Sequence, residues 1–315
     1  MISCVIPAYN ESAVIVETVD EIVSVLHAVP EVGGSFEIIV VDDHSNDDMY
    51  QKLMDMANSH VHCIRLSKRS GSHVALRAGL LYCSGKMVCC LSADGQDNPD
   101  ALSDMIQKWK DGAHIVWALR HNRENEPFKV KIFAALFYNL LKILNPHRVP
   151  GIDLSRADFY LLDRRVIDAI NQSPERNTSL FGLIAWMGFQ QEYVEYDRRE
   201  RRFGNSKWSF RSRIQLAMDW IVSFSGLPLK LMTFMGFIIS ILGLLYAMFV
   251  VVKALFYGTP ALGWPTVITV ILIMGGLQLI MTGVVGEYLW RTFDETKRRP
   301  LFFIEKSTKL LCIKN

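Results

Sequence analysis

Ile2-Ser3-Cys4-Val5-Ile6-Pro7-Ala8-Tyr9-Asn10-Glu11 begins with a short apolar run that breaks into a proline-led polar loop. Runs of this length and β-branched content, bounded by turn residues, read as buried strands. With a strand already at residue 2, we expect no signal peptide ahead of the fold. Residues 13–27 then show helical spacing of apolar side chains, and the strand–helix pair repeats along the chain. Strand signals at 36–41, 61–66, 87–91 and 114–118 alternate with helical patterns at 48–59, 72–83 and 100–110. That alternation predicts an α/β domain with a mainly parallel sheet and helices on both faces.

In such sheets ligands bind beyond the carboxyl ends of the strands. Three of those ends carry the polar loops of the domain: Pro7-Ala8-Tyr9-Asn10-Glu11, Asp42-Asp43-His44-Ser45 and Ser92-Ala93-Asp94-Gly95-Gln96-Asp97. They predict one acidic crevice with an aromatic side chain. Neither G-x-x-x-x-G-K-[ST] nor G-x-G-x-x-G follows the first strand, so P-loop and dinucleotide-binding readings lack their phosphate cradle. Carboxylates without a cradle point to a divalent cation that neutralises a diphosphate, because Mg²⁺ is held by one or two carboxylates plus substrate phosphates. Asp94 and Gln96, two apart after a buried strand, are placed to reach such an ion. Alone, that pair is a weak signal and reads more readily as a cap for the helix after Pro99; the convergence of three loops strengthens the ion reading.

Half of the 315 residues are hydrophobic, yet 21% are charged. The two figures coexist because the apolar residues are segregated. Residues 231–286 carry one charge, Lys253, which leaves the other 259 residues about 25% charged, ordinary for a globular chain. Intrinsic disorder, a collagen repeat and a small disulfide scaffold are excluded. A net charge of +2 gives no reason to expect a nucleic-acid partner. Cys4, Cys63, Cys83, Cys89, Cys90 and Cys312 form no C-x-x-C pair, so reduced thiols in a cytosolic compartment are expected.

Residues 231–252 and 266–286 are uncharged and each long enough for the roughly 20 residues of a spanning helix. Gly258, Pro260, Gly263 and Pro265 between them predict a turn, hence a two-helix transmembrane hairpin. Arg211, Arg213 and Lys230 precede it and Arg291, Lys297, Arg298 and Arg299 follow it, which places both ends on the cytoplasmic side. Residues 208–224 and 128–144 have amphipathic patterns that suit a membrane surface or the soluble core. The domain plan is therefore 1–206 a cytoplasmic α/β domain, 207–228 an interfacial helix, 229–290 membrane spans and 291–315 a cytoplasmic tail. Small residues at Gly275, Gly276, Gly283 and Gly286 suit span packing within the hairpin or between subunits of a homo-oligomer. Just before the interfacial helix, Arg198-Arg199-Glu200-Arg201-Arg202-Phe203-Gly204-Asn205-Ser206-Lys207 sets five cations around a glycine turn, suited to phosphate capture or to a lipid headgroup.

Taken in order, the three loops, Asp158-Phe159-Tyr160-Leu161-Leu162 and Arg198-x-x-Arg201-x-x-Gly204-x-Ser206-Lys207 resemble the motifs of family 2 inverting glycosyltransferases of the GT-A fold. The nearest branch is similar to the polyprenyl-phosphate glycosyltransferases, and Gly283-x-x-Gly286-Glu287-Tyr288 with Arg299-Pro300 resembles the end of its bacterial two-span members. The resemblance implies a Rossmann-like, mainly parallel GT-A domain followed by amphipathic helices and the hairpin. It implies that Pro7, Tyr9, Glu11, Asp42 and Asp43 bind the nucleoside side of the donor and that Asp94 and Gln96 hold Mg²⁺ or Mn²⁺. Asp158 and Arg120 fall on the acceptor side, and Arg201, Ser206 and Lys207 on a loop closing over phosphates.

By the same resemblance, Asp94, Asp158, Arg201 and Lys207 are the catalytic set. The reaction is hexose transfer from a nucleotide sugar, UDP-glucose first, to undecaprenyl phosphate at the cytoplasmic face of the inner membrane, for cell-envelope glycans such as the lipopolysaccharide O-antigen. Ser92 stands where the family usually has an acidic residue, Gly95 where leucine is common, Tyr160 where arginine is usual and Ser72 where lysine or glutamine is. A Ser-Ala-Asp version resembles the branch that transfers formylated amino-arabinose. N-acetylhexosamine and mannose also stay open. Rival readings are a processive polysaccharide synthase, which lacks its Q-x-x-R-W motif here, and a membrane-bound nucleotide-sugar sensor without catalysis.

Overall fold

β1 (Ile2–Ala8) and β2 (Phe36–Asp42) are buried almost throughout rather than on alternate residues, as expected of strands covered on both sides. In the computed structural model, which describes residues 1–121, 156–173, 175–176, 178–199, 226–257 and 263–309, they lie at the centre of an eight-stranded sheet. The chain divides into two units, Met1–Arg213 with Arg299–Asn315, and Ile214–Arg298.

In the first unit α1 (Ile15–Ala28) leads from β1 to β2, and α2 (Met49–Asp55) from β2 to β3 (Val61–Leu66). α3 (Ser72–Tyr82) leads to β4 (Met87–Cys90). A 3₁₀ turn (Pro99–Ala101) and α4 (Leu102–Lys110) precede β5 (Ile115–Arg120). After β6 (Ala157–Asp163) come α5 (Arg164–Gln172), α6 (Leu180–Trp186) and β7 (Gln191–Tyr196). The sheet order is β7-β5-β6-β4-β1-β2-β3-β8, where β8 (Ile304–Ser307) arrives from the far end of the chain. Pairings β1–β2, β1–β4, β2–β3 and β5–β7 are parallel; β4–β6, β5–β6 and β3–β8 are antiparallel. The expected mainly parallel α/β sheet is thus present, with antiparallel insertions.

Two apolar layers cover it. Ile15, Val19, Ile22 and Leu26 of α1 join Met105 and Ile106 of α4 against one face. Ala75 and Ala78 of α3 join Val166, Ile167 and Ile170 of α5 against the other. α3 approaches closely because Gly79 faces β1; a Cβ there would stand 2.3 Å from Val5 Cγ1. Arg77, also on α3, is buried and caps α5 by donating to the Ile170, Ser173 and Glu175 carbonyls.

Element ends differ from expectation for local reasons. β1 runs on through Pro7 and Ala8 because its pairing with β4 stops at Val5, so proline's missing N–H interrupts no ladder on that side. α2 stops at Asp55, earlier than the helical pattern predicts, and Ala57 just beyond takes a left-handed φ of 47°. The helix expected from residue 100 begins as the 3₁₀ turn, capped by the Asn98 side chain.

The second unit contains α7 (Leu227–Tyr257) and α8 (Trp264–Thr296). Among the described residues one helix, at Pro228–Val250, is long and apolar enough to cross a membrane. Residues 266–286, expected as a second span, are helical within α8. The expected interfacial helices at 128–144 and 208–224 lie outside the described residues.

Candidate active site

The carboxyl ends of β1, β2 and β4 open on one edge of the sheet, with β1 between its two parallel partners. β6 runs the other way, so its beginning lies at that same edge. Register pairs Cys90 with Tyr160 and Leu119 with Ala157, which sets Asp158 beside the end of β5 and the loop after β4.

Gly95 in that loop takes a φ of 70°, open to glycine at little cost. The turn brings the Gln96 N–H back to Asp94 Oδ1 at 3.3 Å. Ser92 Oγ lies 2.8 Å from Asp94 Oδ1 and 2.6 Å from Asp97 Oδ2, and the Ser92 N–H donates to Asp97 Oδ2 at 2.7 Å. One hydroxyl hydrogen serves one carboxylate at a time. Burial pushes Asp97 up to about 6; the Ser92 hydrogen bonds oppose the shift, while the Asp158 and Asp94 charges add to it. Where the family pattern has an acidic side chain, this fold uses Ser92 to tie Asp94 to a buried carboxyl three residues on.

Asp158 is the centre of a second group. Tyr196 OH donates to its Oδ2 at 2.8 Å, Arg120 Nε lies 3.8 Å from the same oxygen and Arg198 Nη1 lies 3.5 Å from Oδ1. Burial and the Asp97 and Asp158 charges push the Tyr196 phenol upward, so it remains a donor. Arg198 also donates to Gln96 Oε1 at 2.9 Å, and the Arg199 N–H donates to the Gln96 carbonyl at 3.0 Å. The expected donor-side and acceptor-side residues Asp94, Gln96, Asp158 and Arg120 therefore form one connected cluster, with Arg198 joining its halves.

A third group lies beyond β1 and β2. Asp42 is fully buried; its Oδ1 accepts from the Ser45 N–H at 2.8 Å and its Oδ2 from Arg65 Nη1 at 2.6 Å. Asp43 accepts the Ser70 and Gly71 N–H groups at 2.6 and 2.8 Å, and burial outweighs them to hold its carboxyl above the ordinary value. The guanidinium of Arg69 lies 4.1 Å from the Tyr9 ring centroid, a cation–π contact. Pro7 pairs in register with Val41, and the Glu11 carbonyl accepts from Val14 and Ile15 as α1 begins. Asp42 is thus spent inside the fold, while Tyr9 and Arg69 together form the aromatic and cationic rim.

Arg201, Ser206 and Lys207 lie outside the described residues. Tyr196, Asp97, Arg65 and Arg69 are site residues that sequence reasoning missed. Asp97 was within a quoted motif, and the missing acid at position 92 was its only signal; the others sit in strands or loops whose partners are far away in sequence. Among the described residues no three His, Cys, Asp or Glu side chains group as a metal site. A carboxylate and an amide oxygen at positions 94 and 96 fit an ion that takes most of its ligands from a diphosphate and water. The five described cysteines are buried and free, and burial pushes the Cys4 thiol up to about 12.

Comparison with known proteins gives consistent matches. A family model described as glycosyl transferase family 2 matches residues 3–159. An uncharacterised glycosyltransferase of Synechocystis is 37% identical over 305 residues, covering 96% of this chain and 94% of that protein. The SfII prophage-derived bactoprenol glucosyl transferase of Shigella flexneri is 34% identical over 309 residues, covering 97% and 98%. Among solved structures, glucosyl-3-phosphoglycerate synthase from Mycobacterium tuberculosis, in complex with Mn²⁺, UDP and phosphoglyceric acid, is 20% identical. The match covers 70% of this chain and 76% of that one, with a TM-score of 0.48.

Proposed function

The chain belongs to glycosyl transferase family 2, and on that premise we propose that it moves a hexose, glucose first, from a nucleotide diphosphate to undecaprenyl phosphate. The observation that supports the reading is Arg198, hydrogen-bonded to Gln96 and ion-paired with Asp158, because the residues assigned here to donor and to acceptor then lie within one side chain of each other.

A phosphate monoester has a second pKa of about 6 and is largely ionised at neutral pH, so the acceptor needs orientation more than deprotonation. Asp158, held by Tyr196 and flanked by Arg120 and Arg198, orients it and takes up a proton where one remains. An acceptor phosphate oxygen attacks the anomeric carbon opposite the nucleotide. The bond from that carbon to the diphosphate oxygen breaks, the nucleoside diphosphate departs with the electron pair, and the centre inverts. Asp94 and Gln96 would hold a divalent cation, which when bound neutralises charge on the leaving diphosphate. Arg201, Ser206 and Lys207 are assigned to the same leaving group. Tyr9 and Arg69 are assigned to the nucleoside.

The bactoprenol glucosyl transferase relatives and the apolar helix at Pro228–Val250 support action at a membrane. We assign two spans, about 231–252 and 266–286, with the catalytic unit on the cytoplasmic side, from the cations Arg291, Lys297, Arg298 and Arg299 after the second.

The experiment is a donor panel. Membranes containing the full chain are incubated with undecaprenyl phosphate and labelled UDP-glucose, UDP-N-acetylhexosamines, a nucleotide-linked formylated amino-arabinose or GDP-mannose, then extracted with chloroform. One donor, UDP-glucose by this account, labels the lipid phase. No labelled lipid with any donor overturns the reading and leaves the non-catalytic sensor.

A further inference from the structure

The described C-terminal residues 302–309 are fixed along the edge of the catalytic sheet. The Ser67 N–H donates to the Phe303 carbonyl at 2.9 Å and the Thr308 N–H to the Cys63 carbonyl at 3.0 Å. The Cys63 N–H in turn donates to Thr308 Oγ1 at 2.8 Å. Between these anchors β8 pairs antiparallel with β3, Arg65 opposite Lys306. Backbone pairing on both sides thus sets where Glu305 presents its carboxylate.

Glu305 Oε2 accepts from Arg65 Nε at 3.0 Å. The rest of that guanidinium is spent on the end of β2 and the loop after it, with Nη1 on the buried Asp42 and Nη2 on the Ser45 carbonyl at 2.9 Å. Ser45 passes the constraint on: its Oγ accepts the Asn10 N–H at 2.9 Å, next to Tyr9, and the Asn46 N–H returns to Asn10 Oδ1 at 2.8 Å. Asn10 and His44 hold left-handed φ values of 52° and 61°, and His44 Nδ1 lies 3.1 Å from the Leu66 carbonyl and 3.5 Å from Glu305. A planar fork also held at Nε is restrained from swinging its Nη groups away from Asp42 and Ser45. The hydrogen bonds run unbroken from the C-terminal strand to the loop bearing Tyr9.

We infer that Glu305 is a positioning residue for the nucleotide end of the site, acting through Arg65 on Asp42 and on the Tyr9 loop. The inference rests on the assignment of that end to the nucleoside made above. The Glu305 side chain is 37% exposed, so the pair adds little to overall stability. Its effect belongs in nucleotide affinity.

The test uses the full chain in detergent or nanodiscs, with UDP and GDP as binding probes and labelled donor for kinetics. Glu305→Gln weakens binding of whichever nucleotide the wild type takes by about three- to fivefold and raises donor KM by a similar factor. It leaves kcat within about twofold. Adding Glu305→Gln to Arg65→Lys costs less than the single changes combined, because both act on one fork. Should Glu305→Gln lower the melting temperature, Glu305→Asp, which keeps the carboxylate, decides: affinity recovered from the Glu305→Gln value toward wild type supports the inference, and affinity no better than Glu305→Gln in a folded Glu305→Asp overturns it. Unchanged nucleotide affinity in a folded Glu305→Gln, or a fall in kcat with KM unchanged, also overturns it. A wild type that binds neither nucleotide and labels no lipid overturns the functional reading, and the inference with it.

Discussion

Ser92 shows how much one side chain decides at this site. Its hydroxyl stands between two carboxylates, Asp94 and Asp97, where the family pattern has a third acid. Tyr196 does comparable work for Asp158, as a phenol kept protonated by burial and by nearby negative charge. Tyr196→Phe removes that donor at constant shape. We expect kcat to fall about tenfold, a loss of about 1.4 kcal/mol in line with one hydrogen bond to a charged group, with donor KM unchanged. Steady-state kinetics on the two substrates check it; an unchanged kcat, or a loss confined to donor KM, removes Tyr196 from the acceptor side. Asp94 was legible in the sequence because it follows an apolar run at a loop, where a charged residue is hard to explain by packing; Asp158 and Arg120 were legible only through the family resemblance. Tyr196 was not: it closes an ordinary mixed strand, and its partner Asp158 is 38 residues away.

Among elements, those that alternate were legible and those that insert were not. β1 to β5 announce themselves by strand–helix repetition, and both faces of the sheet fill as that pattern requires. β6 follows no such repeat and joins β4 and β5 antiparallel, which is what turns Asp158 toward the crevice. β8 has four residues and no apolar period, and it finds β3 some 240 residues earlier in the chain. Its far end is held by Lys309, which donates to Glu37, to the Tyr82 carbonyl at 2.8 Å and to Ser84 Oγ at 3.2 Å. Burial alone would raise the Glu37 carboxyl, but hydrogen bonds from Lys309, Ser3 and Ser84 outweigh it and hold it below its ordinary 4.5. A depressed carboxyl contributes stability above its unfolded value and loses it as pH falls through the folded one. Hydrogen exchange of residues 304–309 should therefore be constant from pH 7 to pH 5, after correction for intrinsic rates, and rise relative to β1 below about pH 4. Lys309→Met should give the raised exchange already at pH 7. Equal protection of β8 at pH 7 and pH 3.5 contradicts this account of the anchor.

For the whole molecule, composition spoke first. One ordinary charged portion and one stretch of 56 residues with a single charge already describe a globular unit and an apolar one. The structure keeps that division but returns residues 299–315 to the first unit, so the chain leaves the catalytic fold and comes back to finish its sheet. Sequence patterns hide such a return, because they record neighbours along the chain and the strand that closes the edge is distant. On the proposed function, this fold joins a nucleotide sugar to a lipid phosphate at the edge that holds Asp94. That assignment is tested most directly by chloroform extraction of label from full-length wild type and Asp94→Ala, compared at equal expression in membranes. Labelled lipid is expected from the wild type, with a loss of at least about a hundredfold in Asp94→Ala; turnover within about twofold of wild type in Asp94→Ala would contradict the assignment.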